Sequence, residues 1–119
     1  YRQNGLAVPW QALDEFSFDS TLAATPGVSL VMFGQPHCGA CRGWQAQLPL
    51  WLADLGVQLW YADVARAQAL AYRFELFQLP AFALYRDGQF HAMWQSAFSG
   101  QAVQQALAEA LAASPQEEP

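Results

Sequence analysis

Cys38-Gly39-Ala40-Cys41 closely follows the apolar run Val28-Ser29-Leu30-Val31-Met32-Phe33 and directly precedes a helix-like segment beginning Arg42-Gly43-Trp44. A C-x-x-C at a strand-to-helix junction puts a dithiol at a helix N-terminus. The partial positive charge there favours the thiolate, which is the reactive form of the sulfur. The chain has 2 cysteines in all, so any bridge within it joins this pair. The stretch predicts a redox-active site with a buried central strand leading into it.

The flanking pattern supplies the other elements. Val28 to Phe33 is apolar on both alternating faces, as expected of a strand covered on both sides. Upstream, Trp10 to Leu13 reads as a short edge strand. Asp14 to Ala24 is helix-like, with Phe18 and Leu22 four apart, and Thr25-Pro26-Gly27 ends it by turn chemistry. Downstream of the cysteines, Trp44, Leu48, Trp51, Leu52 and Leu55 mark one face of a helix expected to run to Gly56, kinked at Pro49. Val57 to Ala62 reads as a second buried strand. Leu70, Phe74 and Phe77 mark a helix beginning near Arg66.

The pattern then changes. Phe82-Ala83-Leu84-Tyr85 and Gln89-Phe90-His91-Ala92-Met93-Trp94 flank Arg86-Asp87-Gly88, a hairpin signal. Ser99 is an expected N-cap for a last amphipathic helix carrying Val103, Leu107, Ala110 and Leu111. The order β-α-β-α-β-α-β-β-α predicts parallel right-handed crossovers followed by an antiparallel hairpin. The result is a three-layer α/β/α sandwich with a central mixed sheet. One domain over residues 1–119 is expected, with a loose arm at about 1–9 and a disordered acidic tail at about 114–119.

Composition narrows the function classes. At 119 residues, 54% hydrophobic and 13% charged, the chain can bury a single core without staples. No apolar run approaches the roughly 18 to 20 residues that span a bilayer, so no membrane span is expected. The net charge is −5, there is no lysine, and 5 arginines are scattered along the chain, which argues against nucleic acid and anionic membranes as partners. Two cysteines leave the redox compartment open. A cytoplasmic protein is the expectation, with a periplasmic or secreted one after signal cleavage as the alternative. A monomer is expected.

Over about Leu13 to Leu111 the chain resembles the thioredoxin family. The likeness rests on the strand leading through Phe33-Gly34-Gln35-Pro36-His37 into Cys38-Gly39-Ala40-Cys41, and on a following helix with an internal proline. It also rests on Leu79-Pro80 just before the fourth strand, where the family has a cis-proline, and on the Arg86-Asp87-Gly88 hairpin turn. Gly100 lies near the last helix, as in relatives. C-x-x-C alone is a moderate signal; these features in order are a strong one.

The resemblance implies the thioredoxin fold and a protein thiol–disulfide oxidoreductase that needs no cofactor. Cys38 would be the exposed nucleophile and Cys41 the buried resolving cysteine, with a mixed disulfide between the two steps. His37, Gly39, Ala40 and a cis Pro80 would support the site. Leu79, Pro80 and His37 would meet substrate, the Leu79 backbone pairing with an extended strand. The implied partners are protein disulfides and an external electron donor, a thioredoxin-reductase-like or other dithiol protein.

Departures from the family pattern matter as much. Where thioredoxins have a buried aspartate six residues before the first cysteine, this chain has Met32, and Leu59 falls about where its lysine partner would be. That puts the proton relay to the second cysteine in doubt. His37 replaces the usual tryptophan, Ala40 the proline between the cysteines, and Ala81 the threonine after the cis-proline. As imidazolium, His37 would stabilise the Cys38 thiolate; as a solvated loop residue it would only replace a flat contact surface. His91 reads as structural. The other tryptophans, Trp44, Trp51, Trp60 and Trp94, read as core.

Other chemistries fit less well. Structural zinc wants four N or S ligands, and adjacent His37 and Cys38 cannot easily both point inward, so no metal site is expected. A shared Fe–S cluster and a purely structural bridge across so short a loop are weaker still. A dithiol reductase is the leading expectation. A disulfide oxidase or isomerase and a chaperone-like binding module on the same fold are the alternatives.

Overall fold

The structure, a computed structural model, describes residues 10–119, so the expected arm over 1–9 lies outside the described residues. Nine elements follow one another: β1 (Gln11–Leu13), α1 (Phe18–Ala23), β2 (Val28–Gly34), α2 (Gly39–Trp51), β3 (Gln58–Asp63), α3 (Gln68–Arg73), β4 (Ala81–Arg86), β5 (Gln89–Trp94) and α4 (Gly100–Ala112). The sheet order is β1-β3-β2-β4-β5. Strands β1, β3 and β2 are parallel, and β4 runs antiparallel to both of its neighbours, β2 and β5.

Side-chain alternation along β2 explains the layers. Val31 and Phe33 join Phe18 and Leu22 of α1 and Leu70 of α3, with Phe74 just beyond it, in one core. Leu30 and Met32 face the other way, into a core with Cys41 and Leu48 of α2 and Val103 and Leu107 of α4. A strand buried on both faces has no use for polar residues, which is why Val28 to Phe33 reads as nearly unbroken apolar sequence. The three-layer α/β/α sandwich with a central mixed sheet is therefore the fold observed.

Helix α2 carries Pro49 in its interior. Proline has no N–H, so the Gln45 carbonyl one turn earlier loses its helical donor. The Trp10 indole N–H donates to that oxygen at 2.8 Å. The helix ends at Trp51, two residues past the proline, and not at Gly56 as the periodicity predicts. Turns carry the chain from Leu52 to Gly56, which has φ +69°, and Leu55 is exposed.

Helix α3 is also shorter than its pattern. Glu75 takes φ +56° and the Leu76 N–H donates to the Ala71 carbonyl, a Schellman-type stop. Phe77, which the spacing predicts on the helical face with Leu70 and Phe74, is thereby thrown off it and is 94% exposed. At the start of α1, Asp14 Oδ1 accepts from the backbone N–H groups of Phe16 and Ser17, and the helix proper begins only at Phe18.

The hairpin turn is a left-handed pair, Asp87 at φ +51° and Gly88 at φ +84°. Asp87 also holds the turn against Gly27, its N–H donating to the Gly27 carbonyl and its carboxylate accepting from the Gly27 N–H. Residues 114–119 form no helix or strand, yet the reading of a frayed tail misses three contacts. The Gln116 N–H donates to the His91 carbonyl at 2.7 Å, the Gln116 side chain accepts from the Met93 N–H, and Glu118 pairs with Arg73.

Candidate active site

Strand β2 ends at Gly34, and the chain turns through Gln35-Pro36-His37 into α2. Cys38 is the N-cap of that helix. It has extended backbone angles, and its sulfur accepts a hydrogen bond from the Cys41 N–H at 3.1 Å. An N-cap acceptor satisfies one of the N–H groups that a helix start leaves unpaired, and an anionic sulfur does so better than a neutral one. The same geometry therefore shapes the helix start and favours the Cys38 thiolate.

The two cysteines form a disulfide, with their Cα atoms 5.2 Å apart. They are not equivalent. Cys38 is half-buried, whereas Cys41 is 2% exposed and belongs to the core between the sheet, α2 and α4. Between them Gly39 and Ala40 are exposed, as is His37 just before. His37 lies beside the pair without burial, and Arg42 on the first turn donates to the Pro36 carbonyl at 3.3 Å, bracing the loop.

The Leu79–Pro80 peptide is cis, and both residues are half-buried before β4. Leu79 borders two open grooves. One, of about 420 Å³, is also lined by Cys38, Gln35, Leu76 and Phe77. The other, of about 560 Å³, is lined by Pro80, Trp44, Trp94 and Gln78. The structure thus brings Cys38, Cys41, Leu79 and Pro80 to one end of the sheet. His91 lies elsewhere: it is buried, with Nε2 2.7 Å from the Ala110 carbonyl, a structural contact between β5 and α4.

Sequence reasoning passed over two residues at this end. Phe77 was absorbed into a helical face, and Tyr61 into a buried strand. Tyr61 belongs beside the site: a Cβ added to Gly34 would lie 3.0 Å from the Tyr61 ring, 3.2 Å from its hydroxyl and 3.1 Å from Cys41 Sγ. The available signal was the glycine ending β2, which leaves room for a side chain from the neighbouring strand. Met32 and Leu59 are fully buried in the same core as Cys41.

A buried sulfur, a more accessible one at a helix N-terminus and an adjacent groove together support thiol–disulfide oxidoreductase chemistry. The thioredoxin family model matches residues 10–113. Among solved structures, one chain from a study of the thiol-resolving mechanism of yeast mitochondrial 1-Cys peroxiredoxin via glutathione/thioredoxin systems superposes with a TM-score of 0.71. It is 20% identical, and the match covers 88% of this chain and 99% of that one, a likeness of fold. No curated protein matches this chain in sequence. With the family model covering nearly all of the described residues, the chain belongs to the thioredoxin family.

Proposed function

We propose that the protein is a dithiol reductase of protein disulfides. The observation that carries the reading is the asymmetry of the pair: Cys38 half-buried at the helix N-cap, Cys41 buried behind it. The Cys38 thiolate attacks one sulfur of a substrate disulfide and expels the other as a thiolate, which takes a proton from water. Cys41 then loses its proton and attacks Cys38 Sγ, and the substrate leaves as its second thiol. The site ends as the Cys38–Cys41 disulfide, and an external dithiol protein returns it to the dithiol. The reductive direction is supported by the apolar Leu79 before Pro80 and by the absence of a histidine between the cysteines, a residue that marks strongly oxidising relatives.

Cys41→Ser removes the resolving thiol and should trap a covalent complex with a protein disulfide substrate. Cys38→Ser should trap none, and the intact pair should turn the substrate over with dithiothreitol as electron source. No rate above dithiothreitol alone, together with no trapped complex, would overturn the reading in favour of a binding module.

A further inference from the structure

Cys41 must become a thiolate once in each cycle, yet it is 2% exposed. The core enclosing it takes apolar side chains from β2, β4 and α4, among them Met32, Phe82 and Val103. A charge formed there is costly unless a polar group meets it. The family's buried acid is absent, since Met32 stands in its place.

A polar side-chain atom shares the space beside Gly34 with the sulfur. The Tyr61 hydroxyl and Cys41 Sγ both lie within 3.2 Å of the point a Gly34 Cβ would occupy. Strand pairing produces this: Tyr61 sits across from Met32, and Gly34 is the next residue of β2 on that face. Any larger residue at 34 would crowd both phenol and sulfur. The ring also walls an open cleft of about 360 Å³ shared with Asp14, Asp63 and Arg66, so it spans from solvent to the buried thiol.

We propose that Tyr61 is the positioning residue for Cys41, its hydroxyl donating a hydrogen bond to the Cys41 thiolate across the gap left by Gly34. The inference rests on the disulfide cycle proposed above but not on its direction. Burial, and secondarily the charge of Asp63, push the Tyr61 phenol above its ordinary range. It therefore keeps its proton at neutral pH and acts as a donor, not as a base. The proton leaving Cys41 goes to water, the Cys41 sulfur attacks Cys38 Sγ, and the bond from Cys38 to the substrate sulfur breaks. The phenol returns unchanged. The other charged groups around the pair are Asp14, Asp63 and Arg66 at the cleft, with His37 and Arg42 flanking the cysteines.

The test measures Cys41 alone. In a Cys38→Ser chain, the rate of Cys41 alkylation by iodoacetamide is followed against pH by mass spectrometry, with and without Tyr61→Phe. Loss of a hydrogen bond to a charged sulfur should move the midpoint of that profile up by about one pH unit. With both cysteines present, Tyr61→Phe should slow release of a trapped substrate about tenfold at pH 7 and recover at higher pH. A folded Tyr61→Phe protein with an unmoved midpoint overturns the proposal. If that variant folds poorly, Gly34→Ala, which fills the gap and keeps the phenol, decides by the same readout. A chain that alkylates as expected yet reduces no protein disulfide refutes the reductase reading and leaves Tyr61 in its place.

Discussion

The indole N–H of Trp10 donates to the Gln45 carbonyl, the oxygen that Pro49 leaves without its helical partner. A residue just before the first strand thus repairs a break in the helix that carries the cysteines. Trp10→Phe should cost about 1 kcal/mol, because it leaves a part-buried carbonyl unpaired. Pro49→Ala restores a backbone donor to that carbonyl. In that background Trp10→Phe should cost less, by at least about 0.5 kcal/mol in a denaturant double-mutant cycle. Strict additivity would mean that the two residues do not share the carbonyl.

Phe77 is 94% exposed and lines the groove beside Cys38. An aromatic side chain that buries nothing in the free protein is available to a partner. Phe77→Ser should leave stability within about 0.5 kcal/mol of the parent. It should lower kcat/KM on a protein disulfide about fivefold or more, through KM, and leave a small disulfide such as that of oxidised glutathione nearly unaffected. Equal losses on both substrates would remove Phe77 from protein recognition.

Phe77 also shows where the sequence stops being legible. Its spacing from Leu70 and Phe74 is helical, and only a left-handed Glu75, which nothing local demands, separates it from the core. Leu55 failed in the same way, since the helix ended soon after Pro49 while the apolar period continued. The layers, the strand order of the hairpin and the placing of the two cysteines were legible because burial on both faces, Asp-Gly turn chemistry and a unique C-x-x-C leave few alternatives. Tyr61 was not legible. Its role depends on the register that sets it across from Met32 and beside Gly34, and register is a property of two strands together.

Arg73 links three parts of the fold. Its guanidinium bonds both oxygens of Asp19 at 2.8 and 2.9 Å, reaches Glu118 of the tail, and lies 5.1 Å from the centre of the Phe74 ring. The hydrogen bonds from Arg73, aided by its charge and opposed by burial, hold the Asp19 carboxyl below the usual carboxylate range. A depressed carboxyl stabilises the folded state above its unfolded titration point, and that contribution is lost as pH falls through the folded one. Asp19 is 70% exposed, so Asp19→Asn should cost only about 0.5 kcal/mol at pH 7. The gap between variant and parent should close below about pH 4. Thermal unfolding across pH checks this, and a gap that widened in acid would contradict it.

The direction of electron flow is tested most directly by the reduction potential of the Cys38–Cys41 pair, read by thiol trapping across a dithiothreitol or glutathione series. A dithiol reductase should give a value near about −270 mV, as thioredoxin does. A value between about −180 and −120 mV would contradict the reductase reading and place the protein among the disulfide donors.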